Sequence, residues 1–221
     1  MIEYWVPSLS TFSADIDFVI ALVGVIVGFW FFLTQGVFFW LLWRFRYQEG
    51  VKAQYITGKE HHLKRWIHWP HNLIIVCDIA IIYFAATTWY NVKQAQPPMD
   101  RQIGVIAQQW AWTFVHPGVD GELGTEDDIK TVETLNIEED VLYHFELESR
   151  DVMHDFSIPV FRLKQDAIPG RVIRGWFEAT ATGTHDIQCA EMCGIGHGIM
   201  AAKLVIRDTD GHAAWLAENS K

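Results

Sequence analysis

Charge is missing from two stretches near the start of this chain of 221 residues. Residues 1–16 contain no Lys or Arg, although a secretory signal peptide has a basic segment before its apolar core. Residues 18–43 contain no charged side chain at all, and this run is longer than the apolar core of a signal peptide. These absences argue against a cleaved signal peptide, so we expect the apolar segment to be retained.

Cysteine is scarce, with only Cys77, Cys189 and Cys193 in the chain. None of them lies in a Cys-x-x-Cys-His motif, which excludes a c-type haem attached covalently to this chain. The sequence also lacks internal repeats and low-complexity tracts, so we expect no repeat architecture.

Apolar residues, in contrast, make up 50% of the chain and aromatic residues 14%. The run at 18–43 is long enough to cross a hydrocarbon layer of about 30 Å at about 1.5 Å per residue. A second apolar segment at 71–91 is about one span long and contains Trp89 and Tyr90 near its end, as is typical of a membrane–water interface. The two segments together predict a two-helix transmembrane hairpin.

The second span carries one acidic side chain, Asp78, where an ionisable group is costly. Two interpretations are open for this residue. It contacts a partner subunit or a proton path, or it forms a local hydrogen bond near the water boundary.

Basic residues are concentrated in the connecting loop at 44–70, whereas the N-terminus before the first span carries only acidic ones. The positive-inside rule then places this loop in the cytoplasm and both termini outside. We therefore expect an integral protein of a bacterial or archaeal plasma membrane, surrounded by lipid. Residues 1–96 are predicted to hold the N-terminal segment and the hairpin, and residues 97–221 an exported domain.

The exported domain begins after Pro97 and Pro98, which cannot continue a helix. From residue 101 onward, short β-branched and aromatic segments alternate with turn residues, which predicts an all-β sandwich or barrel, with a short helix at the C-terminal end. His116 is expected at the surface, in a turn. The domain holds 21 Asp and Glu against 10 Lys and Arg. This balance argues against nucleic acid and indicates either a basic protein partner or a solvated acidic surface.

The motif "CAEMCGIGHGIM" at 189–200 concentrates metal-binding side chains. A disulfide between Cys189 and Cys193 would close a very small loop and stabilise little. Zinc would find three ligands here and a fourth in His154, but Met200 is a poor zinc ligand. Thiolate, imidazole and thioether together suit copper electron transfer.

A mononuclear blue copper site uses a single Cys, whereas this motif has two. If both thiolates bridge a pair of copper ions, each metal needs one His and one weak axial ligand. His197 can cap one copper, a second His must cap the other, and Met200 and a backbone carbonyl can fill the axial positions.

The motif resembles the Cys-x-Glu-x-Cys-x-x-x-His-x-x-Met signature of the binuclear copper A site, found in subunit II of cytochrome c oxidases and related haem-copper enzymes. "SRDVMHDFSIP" at 149–159 resembles the family segment that carries the first histidine ligand, and "KQDAIPGR" at 164–171 and "QWAW" at 109–112 resemble two further family segments. The resemblance covers nearly the whole chain and implies a cupredoxin-like fold for the β-domain.

The resemblance also implies roles for single residues. Both copper ions are bridged by the two thiolates; one takes His154 and Met200, and the other takes His197 and the backbone carbonyl of Glu191. The Glu191 side chain faces a magnesium ion shared with subunit I. Electrons from cytochrome c, or from a similar small redox protein, enter through Trp110, for which simple core packing is the alternative. The implied metal-site residues are Cys189, Cys193, His154, Met200, His197 and Glu191.

In this family the electron passes on to haem in the catalytic subunit, which reduces oxygen to water. Members that couple to proton uptake often carry a Glu three residues before the Trp that opens the second helix, where this chain has Leu63 before Trp66. That departure keeps open a copper A subunit of a nitric oxide reductase. A membrane-tethered copper chaperone is a further alternative from a different class.

Overall fold

The structure, a computed structural model, describes residues 5–53 and 55–220. These residues divide into two compact units. One unit is helical and runs over Asp17–Trp89. The other combines the segment up to Ile16 with the residues from Tyr90 onward.

Two long helices form the helical unit: α1 spans Ser13–Arg44 and α2 spans His61–Trp89, followed by a π-helical turn at Tyr90–Gln94. Both are long and apolar enough to cross a membrane by length and composition, and their most apolar windows are not buried within the structure. Apolar side chains surround α1 on all sides, which is typical of a helix whose environment is itself apolar.

Helix α2 begins ten residues before the predicted span, so the connecting segment is shorter than the predicted loop at 44–70. Glu60 precedes the helix, and its carboxylate accepts hydrogen bonds from the backbone N–H of Thr57 at 3.1 Å and its hydroxyl at 2.7 Å. The backbone carbonyl of Glu60 accepts from Leu63 and Lys64 and closes the first turn. Hydropathy alone misses residues 61–70 because Lys64, Arg65 and three histidines lower the apolar content of this part of the helix.

Ten strands of the second unit are described: β1 Arg101–Gln108, β2 Ala111–His116, β3 Ile129–Val132, β4 Thr134–Glu138, β5 Leu142–Ser149, β6 His154–Ile158, β7 Leu163–Ala167, β8 Ile173–Glu178, β9 Gly183–Cys189 and β10 Ala201–Arg207. They make two five-stranded sheets, with the orders β3-β2-β1-β5-β8 and β4-β10-β9-β6-β7. The pairs β1/β5 and β4/β10 are parallel and the remaining pairs are antiparallel.

Alternating burial along the strands creates one core between the sheets, which confirms the predicted sandwich. Phe156 lies at its centre, with its ring centroid 5.8 Å from that of Phe145 and 5.4 Å from that of Trp112. All three side chains are fully buried. Truncating one such aromatic to Ala costs about 3–5 kcal/mol, so this cluster holds β6 firmly in place.

The predicted C-terminal helix is present as α3, Thr209–Asn219, which Asp208 caps by accepting a hydrogen bond from the Gly211 N–H at 2.8 Å. The expectation for His116 is wrong. This residue ends strand β2 with 2% of its surface exposed, and its ring packs 4.9 Å from that of Trp215 on α3. A helix that packs over the strand end explains why a polar residue there is buried.

The segment before α1 packs onto the sandwich. Leu9 donates its N–H to the Val160 carbonyl at 2.9 Å and accepts from the Thr180 N–H at 3.0 Å. Arg162 donates to the carbonyls of Val6 and Pro7. The structure therefore groups this segment with the β-domain, whereas the sequence-based division placed it with the hairpin. Long-range backbone pairing of this kind leaves no periodic signal in the sequence.

Candidate metal centre

The motif at 189–200 is the connection between two adjacent strands. Cys189 is the last residue of β9, and β10 begins at Ala201, directly after Met200. The Cys189 N–H donates to the Met200 carbonyl at 3.1 Å, which closes the base of the loop. Strand β6 pairs with β9 on the other side, with Phe156 opposite Cys189, so His154 at the start of β6 reaches the same place.

The sulfur atoms of the two cysteines are 3.7 Å apart. This separation is far longer than a disulfide bond of about 2.05 Å, and both cysteines are free. His154 Nδ1 lies 3.9 Å from Cys189 Sγ, and together with Cys193 these residues form a compact group of potential metal ligands.

The remaining predicted ligands complete the group. Met200 Sδ is 3.2 Å from His154 Nδ1 and 3.8 Å from Cys193 Sγ. His197 Nδ1 is 3.8 Å from Cys193 Sγ, and the Glu191 carbonyl oxygen is 3.2 Å from Cys189 Sγ. All six predicted donor groups therefore line one site.

The sulfur atoms of the site are buried. The exposed fractions of Cys189, Cys193, His154 and Met200 are 8% or less. Burial, followed by the neighbouring Cys189 thiol, raises the pKa of Cys193 to about 11. Two thiolates this close together in a buried pocket require positive charge between them, and a metal ion would supply it.

The donor set fits copper better than zinc. Two thiolates, two imidazoles, one thioether and one carbonyl are more than a tetrahedral zinc ion binds, and the buried thioether is a soft ligand. If the thiolates are shared, each of two metal ions would have one imidazole and one weak ligand, because His154 lies 3.2 Å from Met200 Sδ and His197 and the Glu191 carbonyl remain for the second ion. The residues present therefore fit a pair of copper ions.

Asp151 orients one of these candidate ligands, although the sequence pattern did not identify it. The His154 Nε2–H donates to Asp151 Oδ1 at 2.9 Å, so the lone pair of Nδ1 faces the sulfur atoms. Asp151 also accepts from the backbone N–H of Gln109 at 2.6 Å and of Val152 at 2.7 Å. Burial raises the pKa of Asp151, but these three hydrogen bonds outweigh it and lower that pKa. An acidic residue three positions before a ligand histidine was the available signal.

Trp110 lies directly against the metal-binding loop. Its Nε1–H donates to the Cys193 carbonyl at 3.3 Å, and the Gln109 side-chain amide donates to the same oxygen at 2.8 Å. A Cβ atom at Gly196 would lie 2.4 Å from Cδ2 of the indole ring, so only glycine permits this contact. Trp110 is partly exposed and therefore connects the loop backbone with solvent.

Two predicted side-chain roles, those of Glu191 and Asp78, lie outside the ligand cluster. The Glu191 backbone belongs to the cluster, but its side chain is only half-buried, and its role toward magnesium stays a prediction. Asp78 belongs to the helical unit, where its side chain is exposed on α2.

Comparison with known proteins agrees with the resemblance found in the sequence. Residues 102–208 match the family model described as cytochrome c oxidase subunit II, periplasmic domain. The chain is 29% identical over 238 residues to an alternative cytochrome c oxidase subunit 2 of Bradyrhizobium diazoefficiens, a match that covers 97% of this chain and 83% of that relative. It is 24% identical over 242 residues to a cytochrome c oxidase subunit 2 of Cereibacter sphaeroides, with 96% and 78% covered.

A solved structure supports the same assignment for the sandwich. The periplasmic domain of subunit II of cytochrome oxidase from Bradyrhizobium japonicum matches with a TM-score of 0.50 at 25% identity, over 56% of this chain and 95% of that one. The predicted cupredoxin-like fold and the resemblance to cytochrome c oxidase subunit II are thus confirmed. With its two apolar helices, its sandwich and the CAEMCGIGHGIM loop, the chain is similar to cytochrome c oxidase subunit II, and residues 102–208 match the periplasmic domain of that family.

Proposed function

We propose that this chain is the electron-accepting subunit of a membrane haem-copper terminal oxidase. It takes electrons one at a time from cytochrome c or a similar small redox protein. It passes them to haem in a separate catalytic subunit, which reduces oxygen to water.

One observation carries this proposal: five soft or borderline donor groups and one backbone carbonyl, from two strands and one loop, meet in a single site whose sulfur atoms are buried. The sulfur–sulfur distance of 3.7 Å leaves room for bridging metals, and each histidine lies within 4 Å of a cysteine sulfur. A pair of copper ions bound here would supply one-electron transfer with little change in geometry. The family name of the matched model supports this choice of metal.

The protein residues keep that geometry constant. Strands β6 and β9 hold His154 and Cys189 at positions fixed by the sheet register, and the hydrogen bond from the Cys189 N–H to the Met200 carbonyl holds Met200 directly before β10. Asp151 holds the ring of His154, and the buried sulfur atoms exclude water. Rigid ligands favour fast electron exchange because little structural reorganisation accompanies it.

Electron uptake is proposed to occur at Trp110, whose indole joins a partly exposed surface to the Cys193 carbonyl. The acidic charge of the β-domain favours a basic donor such as cytochrome c through electrostatic steering, which high ionic strength would weaken.

Helices α1 and α2 are proposed to anchor the chain in the plasma membrane, with the basic connecting loop in the cytoplasm and both termini outside. In this arrangement the Glu191 side chain faces the catalytic subunit, where we propose that it shares a magnesium ion with that subunit.

The test uses the purified full-length chain, loaded with copper in detergent. Reduced cytochrome c is added, and its oxidation is followed by absorbance together with the copper bands of the chain. We expect rapid transfer by the native chain and by Cys77→Ser, which changes the cysteine outside the site, and none by Cys193→Ser. Transfer that persists in Cys193→Ser would contradict the bridging role.

The alternative functions, a copper chaperone and a nitric oxide reductase subunit, predict different outcomes. A copper chaperone would release its metal to a chelator during dialysis, whereas the proposed site retains it. In the assembled complex, consumption of nitric oxide without consumption of oxygen would contradict the terminal oxidase assignment.

A further inference from the structure

The turn between β1 and β2 contacts the metal-binding loop through two adjacent side chains, Gln109 and Trp110. The Gln109 Nε2–H donates to the Cys193 carbonyl at 2.8 Å, and the Trp110 Nε1–H donates to the same oxygen at 3.3 Å. The shorter distance makes Gln109 the stronger of the two donors. The proposed entry of electrons at Trp110 gives this amide no function of its own.

The backbone of the loop is shaped to accept the Gln109 amide. Gly194, which follows Cys193, has a φ of +122°, a conformation that other residues rarely adopt. A Cβ atom at this position would lie 2.9 Å from Gln109 Nε2 and 3.3 Å from Trp110 Nε1. Glycine therefore permits both the orientation of the Cys193–Gly194 peptide and the close approach of the amide.

The backbone of Gln109 reaches the other side of the site. Its N–H donates to Asp151 Oδ2 at 2.6 Å, and Asp151 Oδ1 accepts from the His154 Nε2–H at 2.9 Å. Gln109 therefore belongs to a continuous series of hydrogen bonds that runs from His154 through Asp151 to Cys193. The two ends of this series are buried residues on separate elements, because His154 begins β6 and Cys193 lies between β9 and β10.

Such a series restricts both predicted ligands without the help of a metal ion. The side-chain amide of Gln109 fixes the direction of the Cys193 carbonyl, and its backbone N–H fixes the carboxylate that orients the His154 imidazole. We propose that Gln109 is a positioning residue of the metal centre, which holds Cys193 and His154 in a fixed relative position before copper binds and while electrons are transferred. The inference rests on the proposed function in one respect, since it takes these ligands as part of a copper site.

A variant that lacks the hydrogen-bond donor tests this role. Gln109→Met keeps the approximate length of the side chain and its lack of charge, but it cannot donate to the Cys193 carbonyl. Gln188→Met is the matched control, because Gln188 is exposed on β9 and adjacent in sequence to Cys189. Both are made in the full-length chain, and thermal unfolding without copper checks that each variant folds.

Hydrogen exchange of the metal-free chain is the first measurement. We expect the backbone amides at 193–200 to exchange about twofold to about tenfold faster in Gln109→Met than in the native chain, the range that loss of one hydrogen bond gives. The loop opens more easily once the Cys193 carbonyl has lost its stronger donor. Gln188→Met exchanges as the native chain does. Native exchange rates in Gln109→Met would overturn the proposal.

Copper affinity and reduction potential are then measured on the copper-loaded chain. Loss of a residue that supports a ligand lowers metal affinity by about 10-fold to 100-fold, and we expect the lower end because Gln109 is itself exposed. The potential shifts to lower values, because a hydrogen bond that withdraws electron density from the Cys193 peptide is lost. Lower thermal stability with an unchanged potential would assign Gln109 to packing alone and overturn the positioning role.

The combination of Gln109→Met with Asp151→Ala tests whether the two residues act as one series. The fold-losses of copper affinity multiply if the residues act independently, so we expect the double variant to lose less than their product. A loss equal to the product would overturn the linked role. A native chain that binds no pair of copper ions contradicts the proposed function, whereas hydrogen exchange of the metal-free chain still tests the contact between Gln109 and the loop.

Discussion

Replacing Asp151 by Ala tests how His154, a proposed copper ligand, is held. The substitution removes three hydrogen bonds: one from His154 Nε2 at 2.9 Å, one from the Gln109 N–H at 2.6 Å and one from the Val152 N–H at 2.7 Å. The imidazole N–H is then left in a fully buried side chain without its acceptor. Loss of such an orienting partner lowers metal affinity by about 10-fold to 100-fold, which corresponds to about 1.4–2.7 kcal/mol.

Copper affinity is measured on the full-length chain by competition with a chelator of known affinity, and folding is checked by thermal unfolding without copper. Asp151→Asn is expected to have an intermediate effect on copper affinity. Its side-chain oxygen still accepts from His154, whereas its amide group faces the Gln109 N–H. We expect the order of copper affinity to be native, then Asn, then Ala.

Asp186→Ala is the matched control, because Asp186 is an exposed acidic residue on β9 that pairs with Lys203 at 2.5 Å. An exposed ion pair contributes about 0–1 kcal/mol, so copper affinity stays unchanged in this variant. Equal copper affinity in Asp151→Ala and the native chain would refute the argument that a carboxylate must orient His154.

Three other predictions concern packing and pH. Gly196→Ala places a methyl group 2.4 Å from the Trp110 ring, so we expect slower electron uptake from cytochrome c in stopped-flow measurements with copper content unchanged. Gly175→Ala brings a methyl group 2.4 Å from Phe145 Cζ in the core, and overpacking of this kind lowers the free energy of unfolding by about 1–3 kcal/mol in denaturant titrations. Burial, followed by the nearby His212, lowers the pKa of His116 from 6.5 to about 3. The unfolded chain therefore binds this proton first, and acidification from pH 6.5 to pH 5 costs about 1.6 kcal/mol of stability through His116, a contribution that His116→Gln removes.

Much of the metal site was predictable because its ligands are close in sequence. Cys189, Glu191, Cys193, His197 and Met200 occupy one strand connection, so their spacing alone restricts the metals that they can bind. The partner of this loop, His154, is predictable only from the resemblance, since it reaches the site through pairing of β6 with β9.

The sandwich was predictable for a different reason. Buried and exposed side chains alternate along strands such as β1 and β5, and this period of two is visible in the sequence. The strand order was not predictable, because β1 pairs in parallel with β5 across a long stretch of intervening chain. No local pattern records such a pairing.

The residues that sequence reasoning missed act through long-range contacts. Asp151 is recognisable only when the ring nitrogen of His154 is seen to point at it. His116 has the local sequence of a turn residue, with Pro117 and Gly118 after it, and it is buried because α3 returns from far along the chain to cover it.

The central claim is that Cys189 and Cys193 bridge two copper ions. The most direct test is electron paramagnetic resonance on the copper-loaded full-length chain. The copper content is determined in parallel. Our account predicts two copper ions per chain and a single unpaired electron, with hyperfine splitting from two equivalent copper nuclei. This signal should vanish in Cys193→Ser and persist in Cys77→Ser. A signal with splitting from one copper nucleus, or a chain that binds only one copper ion, would contradict it.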